Sequence, residues 1–228
     1  MSAPLTGISS MATRQVLAEL ISAHTARTGQ ALALESVGGV DAAKRVVAGE
    51  AFDVVILGSD AIDKLIASGH LQPGRVDLVL STVAACVREG AALPDLGSEA
   101  AVKAAVLAAE KISYSTGPSG VALQKLFERW GIAEAVAAKT VQAPPGVPVA
   151  TLVAKGEVAL GFQQLSELLH VPGITIVGGL PEPIQITTTF SAGLPVNAPR
   201  AEAVRALLDF MVSREADEAK RRQGMAPA

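Results

Sequence analysis

Strand-like and helix-like segments alternate along this chain, most of them closed by glycine, and that alternation restricts it to α/β architectures. PLTGISS reads as a first strand, after which Val16, Leu17, Leu20, Ile21 and His24 recur at helical spacing until Gly29. LALES, AAKRVVAG, FDVVILG and AIDKLIASG then repeat strand, helix, strand, helix. This is βαβ punctuation, and it predicts a mostly parallel sheet covered on both faces.

The run RVDLVLSTVAACVREG is longer than a buried strand of about five or six residues. It predicts a crossing between lobes near Thr82 to Ala85. A second series starts at Ser98: helix SEAAVKAAVLAAEK, strand KISYS, helix SGVALQKLFERW, strand TVQA, helix VPVATLVAK and strand VALGFQ. QITTTFSAGL reads as the return crossing, followed by helix APRAEAVRALLDFMV and the charged helix READEAKRRQ. The expectation is an α/β fold of two lobes, residues 1–84 with 188–228 and residues 85–187, with a ligand cleft between them. A single doubly wound domain would give a similar period.

Composition narrows the function classes. The 228 residues are 50% hydrophobic and 18% charged, enough for two cores and incompatible with disorder. A net charge of −3 and a pI near 5.7 give no footprint for nucleic acid or an anionic membrane surface. Any anion must be caught by local fields. Aromatic residues, at 3%, are too few to stack a sugar or a nucleobase. Cys86 is the only cysteine, so no intramolecular disulfide forms, and within VAACV it reads as a small buried hydrophobe. No apolar run reaches the eighteen or so residues of a membrane span, so no membrane insertion is expected. The first ten residues carry neither a basic nor an apolar leader segment. Two readings follow: a cytoplasmic protein, or a periplasmic one whose leader has been removed. A monomer is expected.

In open α/β units, ligands gather at the carboxyl ends of strands, where unpaired N–H groups and the positive end of the helix dipole face them. Four junctions carry small or hydroxyl residues: Ser9, Ser10 and Met11; Gly38 and Gly39; Ser119 and Gly120; Gly146 and Val147. Two fall in each lobe, which suits a small anionic ligand. Serine and glycine at helix starts are also ordinary caps. His24, His70 and His170 lack ligand spacing and suit surface or capping roles, so neither metal nor cofactor is expected. GPSG at Gly117–Gly120 is not a nucleophile elbow, because Val121 stands where the last glycine belongs. Neither a dinucleotide fingerprint nor a phosphate-binding loop occurs. Arg14, Arg45, Arg75 and Arg88 read as solvated cations.

The order of these motifs resembles the molybdate-type extracellular solute-binding proteins over nearly the whole chain. The resemblance rests on GISSM, AAKRVVAGEAFDVVILGSDAIDKLIASGHLQPG, GPSGVALQKLFERWGI, VATLVAKGEVALGFQQLSEL and ALLDFMVSREAD. It implies the two-lobed type-II periplasmic-binding-protein fold. It also implies an oxyanion shell at Ser10, Gly39, Ser119, the Gly146–Val147 corner and Gln164, with Gln163 beside it. Two departures bear on the ligand: Gly39 stands where the family supplies a serine hydroxyl, and Gln164 where it supplies a tyrosine. A carboxylate is therefore favoured over molybdate, held for uptake through an ABC permease. The sequence looks closer to a branch with aconitate isomerase-like members, which implies the alternative of proton transfer on a tricarboxylate, with Glu167 and Tyr114 the titratable residues nearest the cleft. A third class is a small-molecule sensor, since LysR-type regulators use this fold to bind effectors.

Overall fold

A computed structural model of the chain describes residues 3–143 and 147–228. It divides into two compact units, Met1–Ser81 with Thr188–Ala228, and Thr82–Thr187.

The first unit opens with β1 (Leu5–Ser10), α1 (Arg14–Thr28), β2 (Leu32–Val37), α2 (Gly39–Val47), β3 (Val54–Gly58) and α3 (Ser59–Ala67), then enters the long strand β4 (Val76–Arg88). The second unit continues with α4 (Glu99–Ala108), β5 (Ile112–Tyr114), α5 (Pro118–Arg129), α6 (Ala133–Ala137), α7 (Val149–Ala154), β6 (Leu160–Gln164), α8 (Leu165–Leu168) and β7 (Ile174–Gly179). The chain returns along β8 (Thr187–Gly193) and closes the first unit with α9 (Ala201–Val212), α10 (Asp217–Arg222) and β9 (Met225–Pro227).

In the first unit the strand order is β2-β1-β3-β8-β4, with β9 also on β4. Period-two alternation builds its two cores. Val54 and Ile56 of β3 face Leu17 and Leu20 of α1 and Leu207, Leu208 and Met211 of α9, whereas Val55 and Leu57 face Ala42 and Val46 of α2 and Ile62 and Leu65 of α3. The second unit repeats the device on β4, which lies between β6 and β7, with β5 beyond β6. Val83, Ala85 and Val87 pack with Leu123 and Phe127 of α5, while Ala84 and Cys86 pack with Val149, Ala150 and Val153 of α7.

Several expectations need correction. The sheets are mixed rather than mostly parallel: β1–β2, β1–β3 and β5–β6 are parallel, but β3–β8, β4–β6, β4–β7 and β4–β9 are antiparallel. TVQA forms no strand; Thr140 makes a lone bridge to Ile112. READEAKRRQ breaks into a 3-10 turn at Arg214–Ala216 and the short α10. His24 is neither a surface residue nor a cap: it is buried on α1, 5.6 Å from the Phe210 ring, and burial, then the Arg27 charge, pull its pKa down. Arg45 pairs with Glu35 and Glu50, and Arg75 with Asp63 and Asp77.

Candidate anion site

In the first unit the site residues stand at the carboxyl ends of the adjacent parallel strands β1 and β2, whose register sets Ser9 opposite Ser36 and Ser10 opposite Val37. Ser9 is buried, and its hydroxyl lies 2.8 Å from the Ser36 hydroxyl. It therefore braces the two strand ends. Ser10 begins the turn at Met11–Thr13, and its carbonyl accepts a 2.9 Å hydrogen bond from the Thr13 hydroxyl. Its own hydroxyl makes no hydrogen bond among the described residues. Met11 is half-buried beside it. Gly38 precedes α2 and Gly39 is its first residue. A Cβ built on Gly39 would meet only the Ser10 hydroxyl within 4 Å, at 3.9 Å, so there is room for at least a methyl group beside Ser10.

In the second unit the parallel pairing of Tyr114 with Phe162 aligns the carboxyl ends of β5 and β6. Ser119 is buried at the start of α5, with its hydroxyl 3.1 Å from the Ser115 hydroxyl, which in turn accepts the Gly117 N–H at 3.2 Å. The reading of Ser119 as a helix cap is corrected here: the cap position is Gly117, and Ser119 lies inside the first turn. Gly120 serves close approach, since a Cβ there would stand 1.6 Å from the Ser115 carbonyl oxygen.

Val147 is half-buried just before α7, and Gly146 lies outside the described residues. Gln163 and Gln164 end β6, both buried. The Gln163 side-chain oxygen accepts the Ala150 N–H at 3.3 Å at the start of α7. Gln163 also bonds Glu167 one helical turn on, and burial outweighs that bond to push the Glu167 carboxyl up to about 7.

Tyr114 is a core residue, edge-on to Phe127 at 5.8 Å and accepting a 3.4 Å bond from Gln124. Burial pushes the Cys86 thiol up to about 12, which keeps it a thiol. No cluster suited to a metal ion occurs among the described residues, and none of their helices is long and apolar enough to cross a membrane.

Two residues and one contact were missed in the sequence. Ser36 follows from period-two register once β1 and β2 are known to pair. Ser115 ends KISYS four residues before Ser119, a spacing that closes across a tight strand-to-helix corner. The Gln163–Glu167 bond has helical i, i+4 spacing. It was hidden by the strand-to-helix change at Gln164–Leu165.

Each unit thus offers hydroxyl and backbone N–H donors at the carboxyl ends of two parallel strands, an arrangement that stabilises negative charge. Known proteins agree with this architecture. The chain is 39% identical over 230 residues to an aconitate isomerase of Pseudomonas sp., covering 98% of this chain and 87% of that protein. It superposes on the periplasmic molybdate-binding protein of Azotobacter vinelandii with a TM-score of 0.81 at 18% identity, covering 97% and 98% of the two chains. The sulfate-binding protein SubI of Mycobacterium tuberculosis gives 0.81 at 14% identity, covering 100% and 88%. These likenesses give the fold as the two-lobed type-II periplasmic-binding-protein architecture. The family model for bacterial extracellular solute-binding proteins matches residues 5–226, and the chain belongs to that family.

Proposed function

We propose that the chain binds a small polycarboxylate of the aconitate class, through hydroxyl and backbone N–H donors of the kind found at the carboxyl ends of its parallel strands. The observation that carries this is the open space at Gly39, where the nearest atom to an added Cβ is the Ser10 hydroxyl at 3.9 Å. A tetrahedral oxyanion is gripped by side chains that close on it. A branched tricarboxylate needs that room instead. The 39% identical aconitate isomerase supports the same ligand class. Ser10, Gly39, Ser119, Val147 and Gln164 supply the donors. About four charge-assisted bonds of roughly 1.5–3 kcal/mol each offset the binding entropy and leave about −8 kcal/mol, a micromolar affinity.

Delivery of the bound anion to an ABC permease, with the chain working in the periplasm, is the second reading, favoured by the family match over residues 5–226.

A thermal-shift screen against trans-aconitate, cis-aconitate, citrate, molybdate and tungstate tests the ligand class. Carboxylates should raise the melting temperature by mass action. Stabilisation by molybdate and tungstate alone would refute the assignment. Ser119→Ala is the sharper probe. Because Ser119 does not cap α5, the replacement should cost about 1 kcal/mol of stability for the lost Ser115 bond. The loss of a hydroxyl donor to a charged ligand should weaken trans-aconitate binding about tenfold or more in a calorimetric titration. Unchanged affinity would leave Ser119 with only its bond to Ser115.

A further inference from the structure

We propose that the groove between α5 and residues 183–186 is a second binding site, for a small amphiphilic carboxylate. It does not depend on the ligand class argued above. Ala122, Lys125, Leu126 and Arg129 form one wall, and their i, i+3, i+4, i+7 spacing makes them a single face of α5. Residues 183–186 form the other wall, and the space between has a volume of about 310 Å³. That is the lower end of the range for small-molecule sites, about 300–1,000 Å³. The two walls are fixed to each other, because Leu126 and Ile184 are buried in the same hydrophobic core of the second unit. Lys125 stands six residues beyond Ser119, about 9 Å along the helix axis. The groove is thus separate from the donors at the start of α5.

The placement of donors sets the charge and direction of the ligand. On the 183–186 wall the backbone N–H groups are taken: Ile184 donates to the Pro181 carbonyl at 2.9 Å, Gln185 to the Glu182 carbonyl at 3.3 Å, and Ile186 to the Gln185 side-chain oxygen at 2.9 Å. Pro183 has none. The Gln185 side-chain nitrogen donates to the Leu180 carbonyl at 3.0 Å. The uncommitted donors therefore stand on α5. Lys125 makes no hydrogen bond or ion pair among the described residues. Arg129 gives one N–H to Glu99 at 2.6 Å and keeps the rest of its fork. The two cations are one helical turn apart, so both can meet one carboxylate. Opposite them Pro183, Ile184 and Ile186 present apolar side chains. An anionic head against α5 with an apolar tail along the other wall fits this polarity. A polyanion would leave the apolar wall uncovered.

The test titrates the intact chain with octanoate and follows its backbone amides by two-dimensional NMR. Saturable shifts at Ala122, Lys125, Leu126, Ile184 and Ile186, with a Kd on the order of 0.1–1 mM, are the expected result. Octanol and acetate, which carry the tail or the charge alone, should each bind at least about fivefold more weakly. Lys125→Ala should weaken octanoate binding about fivefold, the scale of one charge-assisted bond at an exposed site. Ala122→Glu should abolish it by filling the groove with negative charge. Both variants should keep the wild-type melting temperature within about 2 °C. Shifts confined to Ser10, Gly39 and Ser119 would place octanoate at the strand-end donors and overturn the inference, as would the absence of any saturable shift. Equal binding of octanol, or an octanoate affinity that neither variant changes, would also overturn it. A dimer in sedimentation that Ala122→Glu dissociates would assign the groove to a second copy of the chain instead.

Discussion

Gly120→Ala is expected to destabilise the protein by about 3 kcal/mol, the upper end of what an added methyl costs in a packed interior, and to weaken anion binding with it. The new Cβ would sit 1.6 Å from the Ser115 carbonyl oxygen and 2.7 Å from its carbon, both backbone atoms that cannot swing aside. α5 must retreat from β5, which opens the Ser115–Ser119 hydroxyl pair. For a chain of this length the melting temperature should drop by about 6–12 °C. Gly39→Ala is the matched control: its nearest neighbour at 3.9 Å is an ordinary contact, so its stability should hold while the ligand loses room. Wild-type melting and affinity in Gly120→Ala would show that the strand-to-helix corner tolerates a side chain and does not position Ser119.

The second large effect lies at Asp53, a buried carboxylate in the first unit. It accepts the Thr6 N–H at 2.7 Å, the Thr6 hydroxyl at 2.9 Å and the Arg200 guanidinium at 2.5 and 3.0 Å. Arg200 also bonds the Pro4 carbonyl at 2.7 Å, so one carboxylate ties β1, β3 and the start of α9 together. Burial alone would raise the Asp53 pKa, but the Thr6 N–H, Arg200 and the Thr6 hydroxyl outweigh it and hold the pKa below the usual range. Asp53→Asn should cost about 2–3 kcal/mol, less than the 3–5 of a fully buried pair because the Arg200 side chain is 36% exposed.

The pH dependence has a definite sign. A depressed carboxyl contributes stability that is fully present above the unfolded pKa, about 3.9, and is lost as pH falls through the folded value. Below about pH 4 the wild type should therefore lose stability more steeply than the variant. Glu167 acts in the opposite sense: its raised pKa makes the folded state bind the extra proton between about 4.5 and 7, so stability declines as pH rises through that window. Thermal melts of wild type, Asp53→Asn and Glu167→Gln from pH 3 to 8 separate the two. Parallel curves for all three would mean that neither carboxyl is perturbed.

The sequence made the βα units legible wherever periodicity was strong. LALES, FDVVILG and AIDKLIASG became β2, β3 and α3 because alternating or helical apolar spacing coincides there with glycine stops. It was weak where local signals do not fix pairing. The alternation of Ile174 and Ile176 in ITIVGG spans too few residues to mark β7, and MAP is too short to mark β9; both strands pair with β4. At the site, the hydroxyls and glycines at strand ends were readable as types and positions, but Ser9 and Ser10 look equivalent in the chain. Only the register separates them, setting Ser9 against Ser36 and leaving the Ser10 hydroxyl beside Gly39. The raised pKa of Glu167 was not legible, because burial is a tertiary property.

The ligand class is tested most directly by calorimetric titration of the wild-type chain with trans-aconitate and, in parallel, with molybdate. Saturable binding of trans-aconitate near the micromolar range, with no heat from molybdate, is the expected result; tight molybdate binding with no response to trans-aconitate would contradict it.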